Sequence, residues 1–409
     1  MGLKNRFRIL TGVRIVFFFI MFPFLFSCAG SAAASYREEV PAPQRQEAAP
    51  VQAPEPVPDY LTLVAAGDNL YQEPILKEFF NQGAYCFDSI YSRIKAYIEP
   101  AGIAFVNQET VLGKGPVFSG YPLFNTPQAA GAALAAAGFD VINHATNHIM
   151  DKGEAGILET MDYWDAFPGI RYTGISRSEE DRRSRNVIIE KNNIRVGFLA
   201  YTESTNGLYL PKDKSYLVSL ADTDKMAEEI DALRPLCSFL AVSMHWGNEY
   251  QEEPSEAQQQ MAEFFALHRV DLVIGHHPHV LQPLARISRP DGGVLYCFYS
   301  LGNFVSAHAQ PEKPALLGGL MYMRLKKAET AVTVDQAGLI PLISHYEKDR
   351  TGFVIYPLHE YTEALAEKHW KRTGDPEMTA AWFFNSANSL IGEDLLPGNP
   401  FIENRVAEN

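Results

Sequence analysis

The sequence has little cysteine and no cysteine pair at the spacing of a metal site. Four of its 409 residues are cysteine, and they do not form the Cys-x-x-Cys pattern typical of structural zinc. After Cys28, the chain contains Cys86, Cys237 and Cys297. Three cysteines leave at least one unpaired. The last two lie in apolar runs, so we expect buried free thiols at Cys237 and Cys297.

The chain also lacks an excess of positive charge. It has 35 Lys and Arg against 49 Asp and Glu, a formal net charge of −14. Its first 27 residues contain four basic residues and no acidic one, so a chain starting at Cys28 would carry 31 basic and 49 acidic residues, a net charge of −18. This charge speaks against binding to nucleic acid and against docking on an anionic membrane by surface charge.

A long apolar run stands near the N-terminus. Ile15–Phe26 has 12 residues, too few to cross a bilayer comfortably, and it follows basic residues as in a secretion signal. The segment Leu25-Phe26-Ser27-Cys28 resembles the bacterial lipobox, where cleavage leaves a lipid-modified cysteine. We therefore expect a signal peptide over residues 1–27 and an exported cell-envelope lipoprotein, held at the membrane by a lipid anchor on Cys28. The alternative is an ordinary signal peptide cut near Ala33-Ala34-Ser35.

Residues 28–58 have the composition of a tether. The segment is rich in Ala, Pro, Gln and Glu and has six prolines between Pro41 and Pro58. It cannot bury enough apolar surface to fold alone. We expect an extended linker that could span up to about 90 Å.

From Tyr60 onward, short apolar runs alternate with helical patterns. This alternation is typical of α/β layers with parallel strands. Strands are predicted at Tyr60–Gly67, Ile103–Asn107, Asp140–Asn143, Arg195–Tyr201, Phe239–His245, Leu272–Gly275 and Val294–Leu301. Helices are predicted at Phe87–Ile98, Pro127–Ala137, Gly156–Phe167, Thr223–Leu233 and Ser255–Leu267, and two more at His359–Arg372 and Met378–Ile391 near the C-terminus.

Polar side chains follow most of the predicted strands. In α/β proteins, ligands bind beyond the carboxyl ends of parallel strands, where several loops meet. Carboxylate, amide and imidazole groups placed there are costly unless a metal or a substrate uses them. The groups concerned are Asp68, Asn107, Glu109, Asn143, Asn147, His148, His245, Glu249, His277, His279 and Asn303.

Four segments carry more specific motifs. They are Gly138–Gly153 with its Asn147-His148 pair, His245–Tyr250, Gly275–Pro283 and Tyr299–Phe304. In this order they resemble the CapA-type capsule-synthesis (poly-γ-glutamate) family, a branch of the metallophosphoesterase-like proteins. The resemblance implies a four-layer αββα sandwich, which we expect over residues 59–345. The helical patterns near the C-terminus, outside the resemblance, predict a helical extension over residues 346–409.

The resemblance also implies a metal cleft. It assigns the metal ligands to Asp68, Glu109, Asn147, His245, His277 and His279, and it makes His148 the catalytic proton donor. Imidazole and carboxylate ligands suit one or two divalent ions, with Mn²⁺, Fe²⁺ or Zn²⁺ expected. Two positions depart from related phosphoesterases. Leu70 stands where a histidine ligand is usual, and Gln108-Glu109 replaces a Gly-Asp pair.

Further residues near these motifs have less certain roles. Trp246, Glu249 and Asn303 are expected to orient the ligands or to contact the substrate, although Trp246 also fits a packing role. His144 is expected to be structural, because its spacing to His148 lacks the Glu of a His-Glu-x-x-His zinc motif. His276 is expected to serve the turn or to support the site, and the remaining histidines are expected in the core or on the surface.

Two functions are open at this point. The first is a metal-dependent hydrolase that acts on a phosphoester or a polyglutamyl amide, with an anionic or phosphorylated substrate. The second is a non-catalytic, metal- or polymer-binding component of a capsule or polymer synthesis and export machine, with capsule or polymer synthesis proteins as partners. A structural lipoprotein with an inactive site is a third reading.

Overall fold

The computed structural model describes residues 59–307, 313–329, 331–396 and 398–401. The expected signal peptide, the tether, Cys28 and His308 lie outside these residues. In the described part, no helix is long and apolar enough to cross a membrane.

Strands make up most of the regular structure. In chain order they are β1 (Asp59–Asn69), β2 (Phe80–Asn81), β3 (Ala84–Tyr85), β4 (Ile103–Gln108), β5 (Leu112–Gly113), β6 (Thr126–Pro127), β7 (Val141–Asn143), β8 (Arg171–Thr173), β9 (Val187–Lys191), β10 (Ile194–Thr202), β11 (Phe239–His245), β12 (Leu272–His276), β13 (Leu281–Ser288), β14 (Val294–Leu301), β15 (Asn303–Val305), β16 (Leu317–Lys327), β17 (Val332–Glu347) and β18 (Thr351–Pro357).

The helices lie between and after these strands. They are α1 (Glu73–Glu78), α2 (Lys95–Ile98), α3 (Ala129–Ala137), α4 (Gly153–Asp165), α5 (Glu179–Ser184), α6 (Thr223–Leu233), α7 (Glu256–Leu267), α8 (Glu363–Lys368) and α9 (Ala380–Ile391). Short 3-10 helices occur at Asp88–Tyr91, Ser215–Leu217, Arg234–Leu236, Lys313–Leu316, Lys348–Arg350, Leu358–Glu360, Trp370–Thr373 and Gly392–Asp394.

The first large sheet has eight strands in the order β18-β17-β16-β1-β4-β7-β8, and β15 pairs with β1 off this path. Strands β1, β4, β7 and β8 are parallel, whereas β16, β17 and β18 form an antiparallel meander beside β1. In the register of this sheet, Asp68 lies beside Asn107, and Asn107 lies beside Asn143. The polar groups that end these strands therefore meet at one edge.

The second large sheet has six strands in the order β13-β14-β12-β11-β10-β9. Its central strands β10, β11, β12 and β14 are parallel, and both edge strands are antiparallel to their neighbours. Strands β11 and β12 are fully buried, which fits their continuous apolar sequences. The register places His245 beside His276 at the carboxyl ends of these two strands.

The two sheets pack face to face between layers of helix. Phe105 of the first sheet stacks on Phe198 of the second, with ring centroids 6.0 Å apart. The other face of the second sheet packs on α6 and α7 through residues such as Val242, Ile230 and Phe265. Helices α2 and α3 pack with the first sheet in the larger core. This arrangement confirms the predicted four-layer αββα sandwich.

The C-terminal region differs from the prediction of a purely helical extension over residues 346–409. Strand β17 crosses the predicted boundary at residue 345, and β18 (Thr351–Pro357) pairs with it in the first sheet. All described residues also belong to one unit that starts at Pro56. In β18 alternate residues are buried from Phe353 onward, the period of a strand with one covered face. Helices α8 and α9 follow this strand.

The cysteines lie where their surroundings predict. Cys237 and Cys297 are buried free thiols, and Cys86 is a free thiol on the surface. Cys297 lies in β14 and Cys237 lies two residues before β11, and both pack on the helix-covered side of the second sheet. They contribute to packing and form no disulfide.

Candidate metal centre

Asp68 is fixed near the end of β1 by the neighbouring strand β4 and by the loop after β12 of the second sheet. Asn107 Nδ2 donates to Asp68 Oδ1 at 2.8 Å, and His279 Nδ1 lies 3.0 Å from Asp68 Oδ2. The backbone N–H of His277 also donates to Oδ2 at 3.2 Å. Burial opposes the charge of Asp68, but the hydrogen bond and the attraction of His279 hold its pKa below the ordinary value.

Glu109 lies just past the end of β4, and its carboxylate is completely buried. Neither carboxylate oxygen has a hydrogen-bond partner within the described part of the chain. The nearby imidazole nitrogens are His245 Nε2, 3.7 Å from Oε1, and His279 Nε2, 3.8 Å from the same oxygen. Burial therefore raises the pKa of Glu109 well above its ordinary value. A buried carboxylate without a donor is costly, and a bound cation would remove that cost.

Asn147 and His245 come from different sheets and meet at this point. Asn147 Oδ1 lies 3.0 Å from His245 Nε2, and both side chains are buried. The amide nitrogen of Asn147 has no hydrogen-bond partner among the described residues. Burial and the neighbouring His277 lower the pKa of His245 well below its ordinary value, so this imidazole is neutral and able to act as a ligand.

His277 and His279 stand on the loop after β12. Their backbones are left-handed, with φ of 95° and 59°, a conformation that costs non-glycine residues energy and is concentrated at functional sites. Burial and then His279 lower the pKa of His277 to about 4. Burial also disfavours a charge on His279, but Glu109 and the bond to Asp68 raise its pKa to about 9.

The donor atoms of these side chains form overlapping groups that could hold a metal. Within each group the ligand atoms lie within 4.8 Å of one another. The groups are Asp68, Glu109 and His279, then Glu109, His245 and His277, and then Glu249, His277 and His279. The unpartnered Glu109 oxygens belong to two of them. Carboxylate oxygen and imidazole nitrogen match the ligand preferences of divalent transition metals, so the donor set fits such an ion.

His148 stands beside this cluster and has a different partner. Its Nδ1 lies 2.8 Å from Asp151 Oδ2, and the side chain of Asp151 is buried. The same Asp151 oxygen accepts the backbone N–H of Phe124 at 2.7 Å. A carboxylate in this position requires the hydrogen on Nδ1 and fixes the ring orientation. Asn206 Nδ2 lies 3.5 Å from both ring nitrogens of His148.

Trp246, Glu249 and Asn303 occupy three different environments. The Trp246 ring is fully buried in the core under α7, and its Nε1 donates to the Tyr299 backbone oxygen at 2.8 Å. This ring therefore cannot contact a substrate and serves packing. Glu249 is exposed and can complete a metal group with His277 and His279. Asn303 Nδ2 donates to the backbone oxygen of His279 at 3.1 Å, so it positions the loop that carries this histidine.

The other two histidines of the motifs support the fold. His144 is buried and accepts a hydrogen bond from Trp164 Nε1 at 2.8 Å, as expected for a structural histidine. The His276 ring is buried against Phe105, and its Nδ1 lies 3.6 Å from Asp68 Oδ1. It packs beneath the cluster.

Several functional side chains were not assigned a role from the sequence. Asn107 links Asp68 to His245, because its amide nitrogen Nδ2 also lies 3.5 Å from Nδ1 of His245. Its own oxygen accepts from Asn143 Nδ2 at 2.6 Å. Asp151 lies within the Gly138–Gly153 motif, and its position three residues after His148 is the sequence signal for its role.

A cavity of about 410 Å³ opens beside the cluster. It is bordered by His148, Glu249 and His279 from the site itself. The remaining lining residues are Leu70, Gln72, Glu73, Pro74, Tyr121, Phe124, Tyr250, Ala307 and Arg350. Its mixed polar and apolar wall is typical of a small-molecule site.

A sheet-edge cluster of this kind, in an αββα sandwich, is the arrangement that the metallophosphoesterase resemblance implied. The chain matches the family described as bacterial capsule synthesis protein PGA_cap over residues 62–308 and belongs to this family. The predicted family resemblance is therefore confirmed.

Two curated relatives come from bacilli. The chain is 32% identical over 167 residues to the PGA biosynthesis protein CapA of Bacillus subtilis, which covers 41% of this chain and 42% of that protein. It is 31% identical over 179 residues to the capsule biosynthesis protein CapA of Bacillus anthracis, covering 42% of this chain and 41% of that protein. The chain thus spans about two fifths of the length of these relatives.

Similarity to solved structures is weaker. The NAD nucleotidase NadN of Haemophilus influenzae matches with a TM-score of 0.44 and 10% identity, over 86% of this chain and 60% of that chain. The architecture itself is established by the two sheets and their helix layers.

Proposed function

We propose that the chain is a metal-dependent hydrolase acting on a phosphoester or a polyglutamyl amide. The observation that carries this proposal is the Glu109 carboxylate, which is buried between the imidazoles of His245 and His279. No group in the described part of the chain donates a hydrogen bond to it. A divalent cation is the group that would balance its charge there. Mn²⁺, Fe²⁺ and Zn²⁺ all suit the donor set.

The side chains that would hold the cation are those of the overlapping groups, with Asn147 next to them. When bound, a divalent cation supplies Lewis-acid chemistry by drawing electron density from a phosphoryl or carbonyl oxygen. The ligands are Asp68, Glu109, Asn147, His245, His277 and His279, and Glu249 can approach the same point.

His148 would act as the proton donor. Its Nδ1 is engaged by Asp151, so its Nε2 is the atom that can donate to the leaving oxygen or nitrogen of a substrate in the cavity. The Asp151 carboxylate accepts the hydrogen on Nδ1 and keeps the ring in one orientation. Phe124 packs edge-on to the His148 ring at 4.7 Å and limits the access of water to that side.

The setting proposed for this reaction is the bacterial cell envelope. The lipobox-like segment before Cys28 supports an exported lipoprotein, and the names of the bacillar relatives support a role in capsule or poly-γ-glutamate biosynthesis. An anionic or phosphorylated substrate and contacts with polymer synthesis proteins follow from this setting.

A second candidate function is supported by Leu70. This buried apolar residue lines the cavity where a histidine ligand is usual in related phosphoesterases. A cluster with one ligand fewer fits a non-catalytic, metal- or polymer-binding component of a capsule export machine.

The test is a comparison of metal content and hydrolysis in the purified full-length chain. We expect about one or two divalent ions per chain, measured by plasma mass spectrometry, and hydrolysis of at least one member of a phosphoester and γ-glutamyl peptide panel. Glu109→Gln should lose both, whereas His268→Gln, which changes a partly exposed histidine on α7's C-terminal end, should keep both. Bound metal without hydrolysis favours the binding component. Absence of metal contradicts the hydrolase and the metal-binding form of the second candidate.

A further inference from the structure

The cavity beside the metal cluster contains a cation that the proposed mechanism does not use. Arg350 lines this cavity together with His148, Glu249 and His279. It lies beyond the residues 62–308 that match the family. The β17–β18 hairpin therefore contributes a charged group to this cavity, whose other lining residues all lie within residues 62–308.

Arg350 is held in place from two sides. Its Nη2 donates to the backbone oxygen of Ala307, another cavity-lining residue. Its guanidinium lies 5.3 Å from the centre of the Trp370 ring, a cation–π contact. The backbone of Asp349 and Arg350 is left-handed, with φ of 62° and 57°. Such a conformation is unfavourable for non-glycine residues and persists where the surrounding structure fixes it. The guanidinium is thus preorganised at the cavity.

Arg350 has no carboxylate partner among the residues that the structure describes. Other shielded arginines of the chain have carboxylate partners, as in the pairs Arg182–Glu229 and Arg289–Asp271. Within the described residues, no carboxylate forms an ion pair with Arg350, and its buried Nε has no hydrogen-bond partner. A half-buried guanidinium without a carboxylate partner is electrostatically unfavourable. An anion bound in the cavity would balance its charge.

The other charges in the wall restrict the form of that anion. Glu73 and Glu249 line the same cavity, and these two carboxylates limit the number of anionic groups that the cavity can hold at one time. A single anionic group beside an apolar surface of Leu70, Pro74 and Phe124 fits the wall better.

We propose that Arg350 binds one anionic group of the substrate, a carboxylate or a phosphate, at a point separate from the metal ligands. The planar guanidinium suits two parallel hydrogen bonds to either group. The inference rests on the proposed function for the position of the scissile bond at the metal cluster. Arg350 is then a specificity-determining residue that selects substrates with a second anionic group.

The test measures binding rather than turnover. Calorimetric titration of the full-length, Mn²⁺-loaded protein would compare benzylphosphonate with 4-carboxybenzylphosphonate, which differ by one carboxylate. We expect this carboxylate to strengthen binding to the wild type about tenfold, the scale of one hydrogen-bonded charge pair. In Arg350→Gln the gain should disappear, while benzylphosphonate should bind as it does to the wild type.

Control variants separate charge from folding. Lys348→Gln removes an exposed cation from the same turn and should keep the full gain. Arg350→Lys keeps a charge without the planar fork and should keep a gain of about twofold to threefold. A para-xylylene diphosphonate titration shows whether phosphate is preferred over carboxylate.

Two results would overturn the proposal. One is an undiminished gain in Arg350→Gln, and the other is a wild type that gains nothing from either second anion. Failure of the proposed function gives a different result. A protein that binds these phosphonates through Arg350 but cleaves no substrate would have the anion site, and only the proposal of hydrolase activity would be wrong.

Discussion

Asn147 and His148 are neighbours in the chain, but their side chains have different partners. Asn147 Oδ1 lies 3.0 Å from His245 Nε2 within the metal cluster, whereas His148 Nδ1 lies 2.8 Å from Asp151 Oδ2. The turn after β7 therefore directs one side chain to the cluster and the next to the cavity. Metal binding and proton transfer can be separated by mutation at these two positions.

We predict that His148→Ala keeps its metal and loses hydrolysis. The alanine removes the proton donor without removing a ligand, so activity should fall about 10²- to 10⁴-fold, the usual effect of losing acid catalysis. Metal content and steady-state rates on the best substrate of the panel would be measured together.

His277→Ala provides the contrast for this prediction. Its imidazole belongs to two of the metal groups, so the variant should lose metal as well as activity. Unchanged hydrolysis in metal-replete His148→Ala would remove His148 from the mechanism.

A second prediction concerns stability at low pH and the buried histidine pair of the C-terminal region. His345 and His369 have ring centroids 5.3 Å apart. Burial lowers the pKa of His345 to about 4, and burial together with His345 lowers that of His369 to about 3. His369 Nδ1 accepts the Lys371 backbone N–H at 3.1 Å, a bond that protonation would break.

The direction of the pH dependence of stability follows from these lowered pKa values. The unfolded chain takes up protons near pH 6.5 and the folded chain only well below it, so stability present above pH 6.5 is lost as the pH falls. Between pH 7 and 5, His369 alone should reduce the free energy of unfolding by about 2 kcal/mol. Urea titrations should show a smaller pH dependence for His369→Gln, and an equal dependence in both proteins would contradict the prediction.

At the scale of single residues, sequence reasoning found the groups that stand directly after strands. Asp68, Glu109 and His245 could be predicted because the strand pattern places them at the same edge. The environment of Trp246 could not be predicted from its position beside His245. The His245 side chain faces the site, whereas the Trp246 ring packs in the core. Arg350 could not be found, since its contact with Ala307 joins positions 43 residues apart.

At the scale of elements, the ligand-bearing strands depend on glycines that permit close approach. A Cβ built on Gly275 would overlap the backbone oxygen of Tyr299 on β14, and one built on Gly67 would overlap that of Gly302. Gly275 directly precedes His276 and His277, and Gly67 precedes Asp68. Both glycines thus let the strands converge where the ligands begin.

We predict that Gly275→Ala weakens metal binding although the residue is no ligand. The methyl group must displace backbone, which should cost at least about 1–3 kcal/mol of stability and shift the His277–His279 loop. Urea denaturation and metal affinity would be measured on the same samples. Gly169→Ala is the matched control, because no atom lies within 4 Å of its added Cβ. Wild-type metal affinity in Gly275→Ala would contradict the argument.

The parallel strands were the most predictable elements. Seven of them were predicted within about two residues of the observed bounds, because their continuous apolar runs are separated by helical patterns. The short parallel strand β8 was not predicted. The β16–β18 meander was missed, because β16 and β17 follow the motif region and β18 lies in the segment expected to be helical. The predicted helix at Phe87–Ile98 is divided into a 3-10 helix and α2. In this arrangement Tyr91 donates to Asn69 Oδ1 at 3.1 Å.

At the scale of the whole molecule, the proposed lipid anchor on the N-terminal segment would determine where the domain acts. Cys28 lies outside the described residues, and its lipidation remains a prediction. Cys28→Ala should move the protein from the membrane fraction to the soluble fraction of the cell envelope, because no lipid can be attached. Fractionation with antibody detection would test this, and Cys86→Ala, which changes an exposed free thiol, is the control. A processed Cys28→Ala protein that stays with the membrane would contradict the anchor.

The central claim is that side chains from both sheets form one divalent metal centre around Glu109. Anomalous diffraction at the zinc edge, from crystals of the protein soaked in Zn²⁺, tests it most directly. The account predicts one or two strong peaks about 2.0–2.2 Å from ligand atoms of Glu109, His245, His277 and His279. Crystals with no peak at Glu109, or with zinc bound only at unrelated surface residues, would contradict it.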